Sequence, residues 1–240
     1  KDYAAPGNAF DFSDKDGAVA FKNAPVFGTY MPDAIASHYY NGETYLFTAN
    51  EGDAREYAGF TEIKRLGTVM LDPVAFPTGA LLKTDAQLGR LNITTTLGDK
   101  DGDGDLDAIY SFGARSFSVW NASTGALVWD SKNELDVKSN ELGVYDDGRS
   151  DDKGAEPEAI TIGRVGSKTV AYVGLERTDA VAVYDITDPT KPVFVKMFKT
   201  GDAPEGLLFI PASKSPIGQS LVVVSSENDG VVKIYKANKL

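Results

Sequence analysis

The chain has no cysteine and only one histidine, His38, in 240 residues. Disulfides, thiolate nucleophiles and Cys-ligated zinc are thereby excluded. With no serine in a Gly-x-Ser-x-Gly setting, a Ser-His-Asp or Cys-His site has no support. His38 precedes a hairpin and reads as structural. Phosphate-loop, dinucleotide-binding and HExxH zinc motifs are missing too. Cations are scarce: 24 Lys and Arg stand against 35 Asp and Glu, a formal net charge of −11. Nucleic acid is therefore a poor partner, because phosphate binding needs clustered Lys and Arg. The same balance suits cation binding and salty or extracellular surroundings. No stretch approaches the ~20 apolar residues that span a bilayer. There is no secretory signal, and the chain opens on Lys1 rather than Met. The expectation is a mature or truncated form whose targeting signal lies outside this sequence.

What is present is repetition. Met31-Pro32-Asp33-Ala34-Ile35, Glu156-Pro157-Glu158-Ala159-Ile160 and Ala203-Pro204-Glu205-Gly206-Leu207 share one pattern: proline, an acid, a small residue, a branched aliphatic. Each opens onto a strand, a turn and a second strand ending at an acid. These are YLFTANEGD with Glu51, VAYVGLERTD with Glu176, and LVVVSSENDG with Glu227. From proline to that glutamate is 19 residues in the first two copies and 23 in the third, where SKSPIG lengthens the hairpin. Third strands follow at 180–186 and 231–237, and DPTKP with VFVKMFKTG closes the second copy. Residues 19–30 read as the fourth strand of a unit that starts upstream, and 107–130 as a divergent unit of its own. Four short strands per about 45 residues predict an all-β fold, a β-propeller of four-stranded blades.

Residues 1–240 are expected to form one propeller domain with an insertion over about 58–97 and an irregular acidic loop over about 131–155. Within the insertion, ALLKTDAQLGRL spaces Leu81, Leu82 and Leu88 loosely as a helix, with Gly89 as its stop. LNITTTL then reads as a strand. Three to four blades leave sheet edges and an apolar blade face open. The chain is thus expected to be the later part of a seven-bladed ring, completed by an upstream half of the same protein or by a second chain.

GDKDGDGDLDAIY, residues 98–110, has the best-defined ligand spacing. Counting from Asp99, carboxylates occupy positions 1, 3 and 5 of a calcium loop (Asp99, Asp101, Asp103). Gly104 takes the sharp turn, Asp105 offers its carbonyl and Asp107 sits at position 9. Position 12 is Tyr110 rather than a bidentate Glu, so a helix-loop-helix sensor is not expected. The ion would staple a turn between strands; a merely solvated acidic turn is the alternative.

YDDGRSDDKGAEPEAI, from Tyr145 to Ile160, mixes acids with Arg149 and Lys153. Its last part is a copy of the repeat motif, so Glu156 and Glu158 have an architectural reading as well as a functional one. The recurring acids Asp33, Glu158, Glu205 and Glu51, Glu176, Glu227 would either ring a channel mouth or cap turns within their own blades. Repetition favours the second. Asp53, Arg55 and Glu56, like Arg149, Asp151, Asp152 and Lys153, do not repeat. Such loops suit a face that binds a metal, a phosphate or a sugar, with Arg177 beside Glu176 in the same candidate set. A self-satisfied salt-bridge network is the equal alternative.

NEGDAREY (50–57), LGRLNITTTLGDKDGDGDLDAIYSFGARSFSVWN (88–121), RSDDKGAEPEAI (149–160) and GDAPEGLLFI (201–210) together resemble the choice-of-anchor I family. The resemblance runs from about Val26 and corresponds to the later half of such a protein. It implies a seven-bladed propeller with LVIVD- or YncE-like repeats in a secreted or surface-attached bacterial protein, with relatives of the mesenchyme-specific cell-surface glycoprotein type. The family's calcium-loop pattern falls on Asp99, Asp101, Asp103, Asp105 and Asp107. Its acidic-basic loops fall on Glu51, Asp53, Arg55, Arg149, Asp151, Asp152, Lys153, Glu156 and Glu158. No anchoring sequence follows Leu240, so the expectation is an anchor removed or a freely secreted protein.

These readings converge on a secreted, periplasmic or cell-surface calcium-binding propeller that binds or scaffolds, with cell-surface components or a phosphate-containing ligand as partners. The alternative is a metal-dependent phosphoesterase of alkaline phosphatase or phytase type. In it, Asp53, Asp151, Asp152, Glu156 and Glu158 would hold metal, and Arg55, Arg149 and Lys153 would neutralise phosphate. That alternative rests on architecture, which is a weak warrant for chemistry.

Overall fold

The computed structural model describes residues 1–237. In chain order its strands are β1 (Val26–Gly28), β2 (Ala34–Tyr40), β3 (Glu43–Asn50), β4 (Glu56–Tyr57), β5 (Phe60–Thr61), β6 (Ile63–Arg65), β7 (Asn92–Thr94), β8 (Ile109–Ser111), β9 (Ser116–Asn121), β10 (Leu127–Asp130), β11 (Pro157–Val165), β12 (Lys168–Leu175), β13 (Ala180–Asp185), β14 (Val193–Lys199), β15 (Pro204–Ile210), β16 (Leu221–Ser226) and β17 (Val231–Lys236). Two short helices, α1 (Gly79–Leu82) and α2 (Glu134–Leu142), accompany them, so the fold is all-β. Contacts divide the chain into two compact units. One comprises 1–31, 51–115 and 146–154; the other comprises 32–50, 116–145 and the residues from 155 onward.

The second unit is built from the repeats. Its sheets run β2-β3-β9-β10, β11-β12-β13-β14 and β15-β16-β17, every neighbouring pair antiparallel. The middle sheet is covered on both faces, which is why β12 reads as a continuous apolar run rather than an alternation. Ala171, Val173 and Tyr184 join Phe47, Phe117 and Val119 in one core. Val170, Tyr172, Val181 and Val183 turn the other way, onto Val222 and Val224 with Leu207 and Phe209 beside them. Phe209 lies flat against β11: a Cβ on Gly163 would fall 2.2 Å from its ring.

Backbone geometry shows the repeats to be structurally equivalent. The residue before each motif proline has positive φ: Met31 (41°), Glu156 (53°) and Ala203 (55°). Non-glycine residues rarely adopt this region. Each of their carbonyls accepts a hydrogen bond from an amide at the end of the second strand: Gly52 (3.1 Å), Glu176 (2.9 Å) and Glu227 (2.9 Å). The pairing of β11 with β12 slips at Glu158, and that of β15 with β16 slips at Glu205. In the second and third copies the motif acid thus occupies a β-bulge, a device that re-aims a side chain. A second positive-φ residue precedes each third strand: Arg115 (50°), Asp179 (51°) and Gly230 (63°).

That last correspondence corrects the division of the chain. Residues 107–130 are not a unit of their own. β9 pairs with β3, from Tyr45↔Asn121 to Asn50↔Ser116, and β10 completes that sheet. Phe117 and Val119 need the same core as Phe47 and Ala49, and Trp120 donates to Thr48 across the pair (2.9 Å). The first repeat is therefore whole, with residues 51–115 between its second and third strands.

Those residues supply most of the first unit. Its sheet runs β1-β8-β7-β6, with β1 parallel to β8. Of residues 19–30, expected as the fourth strand of a unit, only 26–28 are strand; they run parallel to β8 and also meet Asp2 in an antiparallel bridge at Phe27. Val26, Ile93 and Ile109 pack with Tyr3, Phe10 and Phe12 in this unit's core. The helix expected around 80–91 is only the four-residue α1. Beyond it the chain doubles back so tightly that a Cβ on Gly89 would lie 2.3 Å from the Lys83 carbonyl. Residues 131–155, expected as an irregular loop, are more ordered than that. They include α2, which buries Leu135, carries Glu134 and Asp136 in its first turn and ends on left-handed Gly143, a usual C-terminal stop.

Candidate functional site

In the first unit the segment Asp146–Gly154 is clasped by arginines. Arg115 is 1% exposed. It donates to the carbonyls of Asp11 (2.6 Å), Ser150 (2.7 Å) and Asp152 (2.7 Å). Its guanidinium lies over the rings of Phe10 and Phe12. Asp151 accepts from Arg65 (2.7 Å) and sits 3.1 Å from Arg90, which also binds Asp14 (2.6 Å). Burial nevertheless pushes the Asp151 carboxyl up, outweighing both arginines. Arg149 donates to Asp152 (2.8 Å), whose other oxygen takes the Asn92 amide (3.0 Å). Lys153 is buried in an ion pair with Glu51. Arg55 grips Glu62 through two bonds (3.0 and 3.1 Å), and that grip holds the Glu62 carboxyl at about 2. Asp53 stands exposed beside them. Each cation expected to meet phosphate is thus already matched by a carboxylate, the arrangement of an internal salt-bridge network.

Two acidic groups in this unit could take a cation. In the 98–107 loop, Asp99 accepts from the amides of Gly102 (2.7 Å) and Gly104 (3.1 Å), and Asp107 from that of Lys100 (2.7 Å). Gly98, Gly102 and Gly104 all take positive φ to make the turns. Asp99, Asp101 and Asp107 offer oxygens within 4.8 Å of one another, while Asp103 and Asp105 stand outside that trio. Burial, then the charges of Asp103, Asp72, Asp107 and Asp101, push the Asp105 carboxyl up. An all-oxygen donor set fits a hard divalent ion. The second group escaped the sequence reading: Asp11, Asp16 and Asp147 meet within the same distance. Burial leads in raising Asp11 and Asp147. No motif spacing could reveal it, because Asp147 comes from a remote segment.

In the second unit Glu176, Glu205 and Glu227 gather from two sheets, within 4.8 Å of one another. The Glu205 carboxyl is raised by burial, then by its hydrogen bond with Glu227 and the charges of Glu227 and Asp33, with Arg177 opposing. Arg177 donates to Glu176 (2.9 Å) and lies 3.5 Å from Glu156, which is fully buried. Glu158 is half-buried on its bulge. Recurring acids therefore cluster at one end of the strands, although Glu156 serves the interior.

One cleft combines shape with polar groups. It measures about 320 Å³ and is lined by Thr29, Met31, Arg55, Glu62, Thr94, Thr96, Leu97 and Phe112, all of the first unit. Such a volume lies at the small end of ligand pockets. Of the candidate binding residues named from sequence, Arg55 reaches it, and Met31 of the first repeat motif lines it too. The run Thr94-Thr95-Thr96 was the available cue.

Comparison with known proteins places these features in a lineage. The family model described as the choice-of-anchor I domain matches residues 1–189. Gigasin-3a of Magallana gigas is 28% identical over 193 residues, covering 66% of this chain and 68% of that protein. The mesenchyme-specific cell surface glycoprotein of Strongylocentrotus purpuratus is 24% identical over 243 residues, covering 81% of this chain but only 31% of its own length.

Proposed function

This chain belongs to the choice-of-anchor I family, and from that premise we propose that it is a secreted or cell-surface binding module, a β-propeller whose long acidic loop takes calcium. The observation that carries the reading is the three repeated sheets of the second unit, each opened by a proline that follows a positive-φ residue, two of them with a bulged acid next to that proline. Repeats of this kind form a rigid frame from which loops bind. The surface assignment is supported by the similarity to a cell surface glycoprotein along most of this chain. The calcium assignment is supported by the spacing of Asp99, Asp101, Asp103, Asp105 and Asp107, and by the convergence of three of their carboxylates.

In this proposal calcium neutralises the loop and fixes the turn ahead of β8, so its role is structural. The ligand would be a cell-surface component held on non-repeating loops, with Arg55 and the threonine-lined cleft beside it the first place to look. The phosphoesterase alternative gains no comparable support, since Arg55, Arg149 and Lys153 are engaged by Glu62, Asp152 and Glu51. Fractionating the native source with an antibody tests the proposal. Recovery from the medium or the cell surface is expected, without calcium-dependent turnover on a panel of phosphate esters. A cytosolic location, or turnover lost in Asp151→Asn/Asp152→Asn, would sink it.

A further inference from the structure

The cleft of the first unit is organised by Glu62, which is only 4% exposed. The grip of Arg55 holds its pKa at about 2, so it is ionised, and an ionised carboxylate accepts hydrogen bonds but donates none. Thr94 therefore gives its proton to Glu62 (2.7 Å). Thr96, 2.9 Å from Thr94 and 3.2 Å from Glu62, sends its proton inward as well. Thr29 donates to the Ser111 carbonyl (2.9 Å). What the threonine oxygens have left for a ligand is lone pairs. Arg55 offers the opposite: Nε and Nη2 are engaged by Glu62, whereas Nη1 has no partner among the described residues, on a side chain 61% exposed. Met31, Leu97 and Phe112 add apolar wall. Beside the cleft, hairpin β4-β5 stacks Tyr57 on Phe60 (ring centroids 5.3 Å apart), and the Arg55 guanidinium lies 5.6 Å over the Phe60 ring. Tyr57 is 65% exposed, so an open aromatic ring stands one side chain away from the free donor edge.

We infer that this cleft binds a neutral saccharide. Donor and acceptor lie side by side in it, since Arg55 Nη2 is 3.3 Å from Thr96 Oγ1. One hydroxyl can use both, taking a hydrogen bond from Nη1 and returning one to the threonine oxygen. A peptide bond cannot, because its N–H and C=O point in opposite directions. A phosphate or carboxylate only accepts, and would set its charge against the threonine lone pairs and Glu62. The cation of Arg55 gives such an anion little in return, because Glu62 offsets it and the chain carries −11 overall. A wholly apolar ligand would cover Nη1 without satisfying it, which costs free energy. A pyranose ring meets both demands, with hydroxyls around its edge and C–H bonds on its faces. Those faces suit Tyr57 and the Met31/Leu97/Phe112 wall, and about 320 Å³ leaves room for such a ring. The inference rests on the reading of this chain as a surface binding module and names the chemistry of its ligand.

Titration calorimetry on the whole chain tests it, with neutral oligosaccharides of glucose, galactose, mannose or N-acetylglucosamine, their uronate and sulfate counterparts, and inorganic phosphate. Binding of at least one neutral oligosaccharide is expected, tighter than that of its acidic counterpart and little changed by salt. Thr96→Val removes the lone pairs, and Arg55→Lys keeps a cation on Glu62 but loses Nη1; each should weaken that binding about tenfold. Tyr57→Ala should weaken it by a smaller factor. Thr96 and Tyr57 are exposed, so their variants should keep the wild-type circular dichroism and melting temperature. No binding of any neutral oligosaccharide would overturn the inference. So would tighter binding of an acidic sugar or of phosphate, or neutral-sugar binding unchanged in all three variants. A cytosolic location would instead sink the reading beneath it, whereas recovery from the surface without sugar binding would sink this inference alone.

Discussion

The two units place charge by opposite rules. In the second, the acids that recur sit at bulges and strand ends, where backbone geometry repeats with them, and Glu176, Glu205 and Glu227 crowd together with Arg177 as the cation at hand. In the first, acids and cations that occur once are interlocked: Arg65 and Arg90 on Asp151, Arg149 on Asp152, Lys153 on Glu51. Repetition in the sequence therefore follows repeated backbone geometry, while the residues that occur once are tied to one another by ion pairs. A lone arginine such as Arg115 can be lone because one segment needs one clasp. The chemistry left available is the surplus of negative charge, in the loop at 98–107 and at the ends of the repeat strands.

The comparison is broken most severely at Arg115. Arg115→Met would remove three hydrogen bonds to carbonyls, two of them buried, at a cost on the order of 3–5 kcal/mol. Denaturant melts should show that loss, and a change within the range of surface substitutions would mean that the clasp is not what holds Asp146–Gly154. In the repeat frame the corresponding test is Gly163→Ala. Its new methyl would meet the Phe209 ring, an overpacking that costs about 1–3 kcal/mol. Adding Phe209→Leu should recover part of the loss, giving a coupling between two sheets that a merely local strain at Gly163 would not produce.

The smallest effect concerns pH. Burial and neighbouring carboxylates raise the Glu205 pKa, so the folded state holds that proton more firmly than the unfolded chain does. Stability from this site is present below the ordinary carboxylate range and is lost as pH rises through the raised value. Glu205→Gln should therefore melt slightly higher than wild type at neutral pH, and the gain should vanish in acid. A variant that melts lower at neutral pH would show that the crowding of Glu176, Glu205 and Glu227 is not repulsive.

Most strands from β11 to β17 were legible because alternation and the Pro-acid motif mark both ends of each hairpin. The third strand of the first repeat was legible as a strand but not as part of that repeat, since residues 51–115 intervene and its marker is Arg115. At the equivalent positions Asp179 and Gly230 look like turn residues; an arginine at positive φ does not. Helix α2 was hidden because its apolar stripe is thin, and only Gly143 announces an end. Of the five aspartates that spacing singled out in the acidic loop, Asp99, Asp101 and Asp107 lie close together, whereas Asp11, Asp16 and Asp147 are joined only by tertiary structure.

Thermal melting of chelator-stripped protein, with and without added calcium, for wild type and Asp99→Asn/Asp101→Asn, tests the proposed calcium loop most directly. A ligand present at 100 times its dissociation constant stabilises by about 2.7 kcal/mol, a shift of several degrees in a chain of this size. The account predicts such a rise for wild type and its loss in the double variant. No rise in wild type, or an equal rise in both proteins, would contradict it.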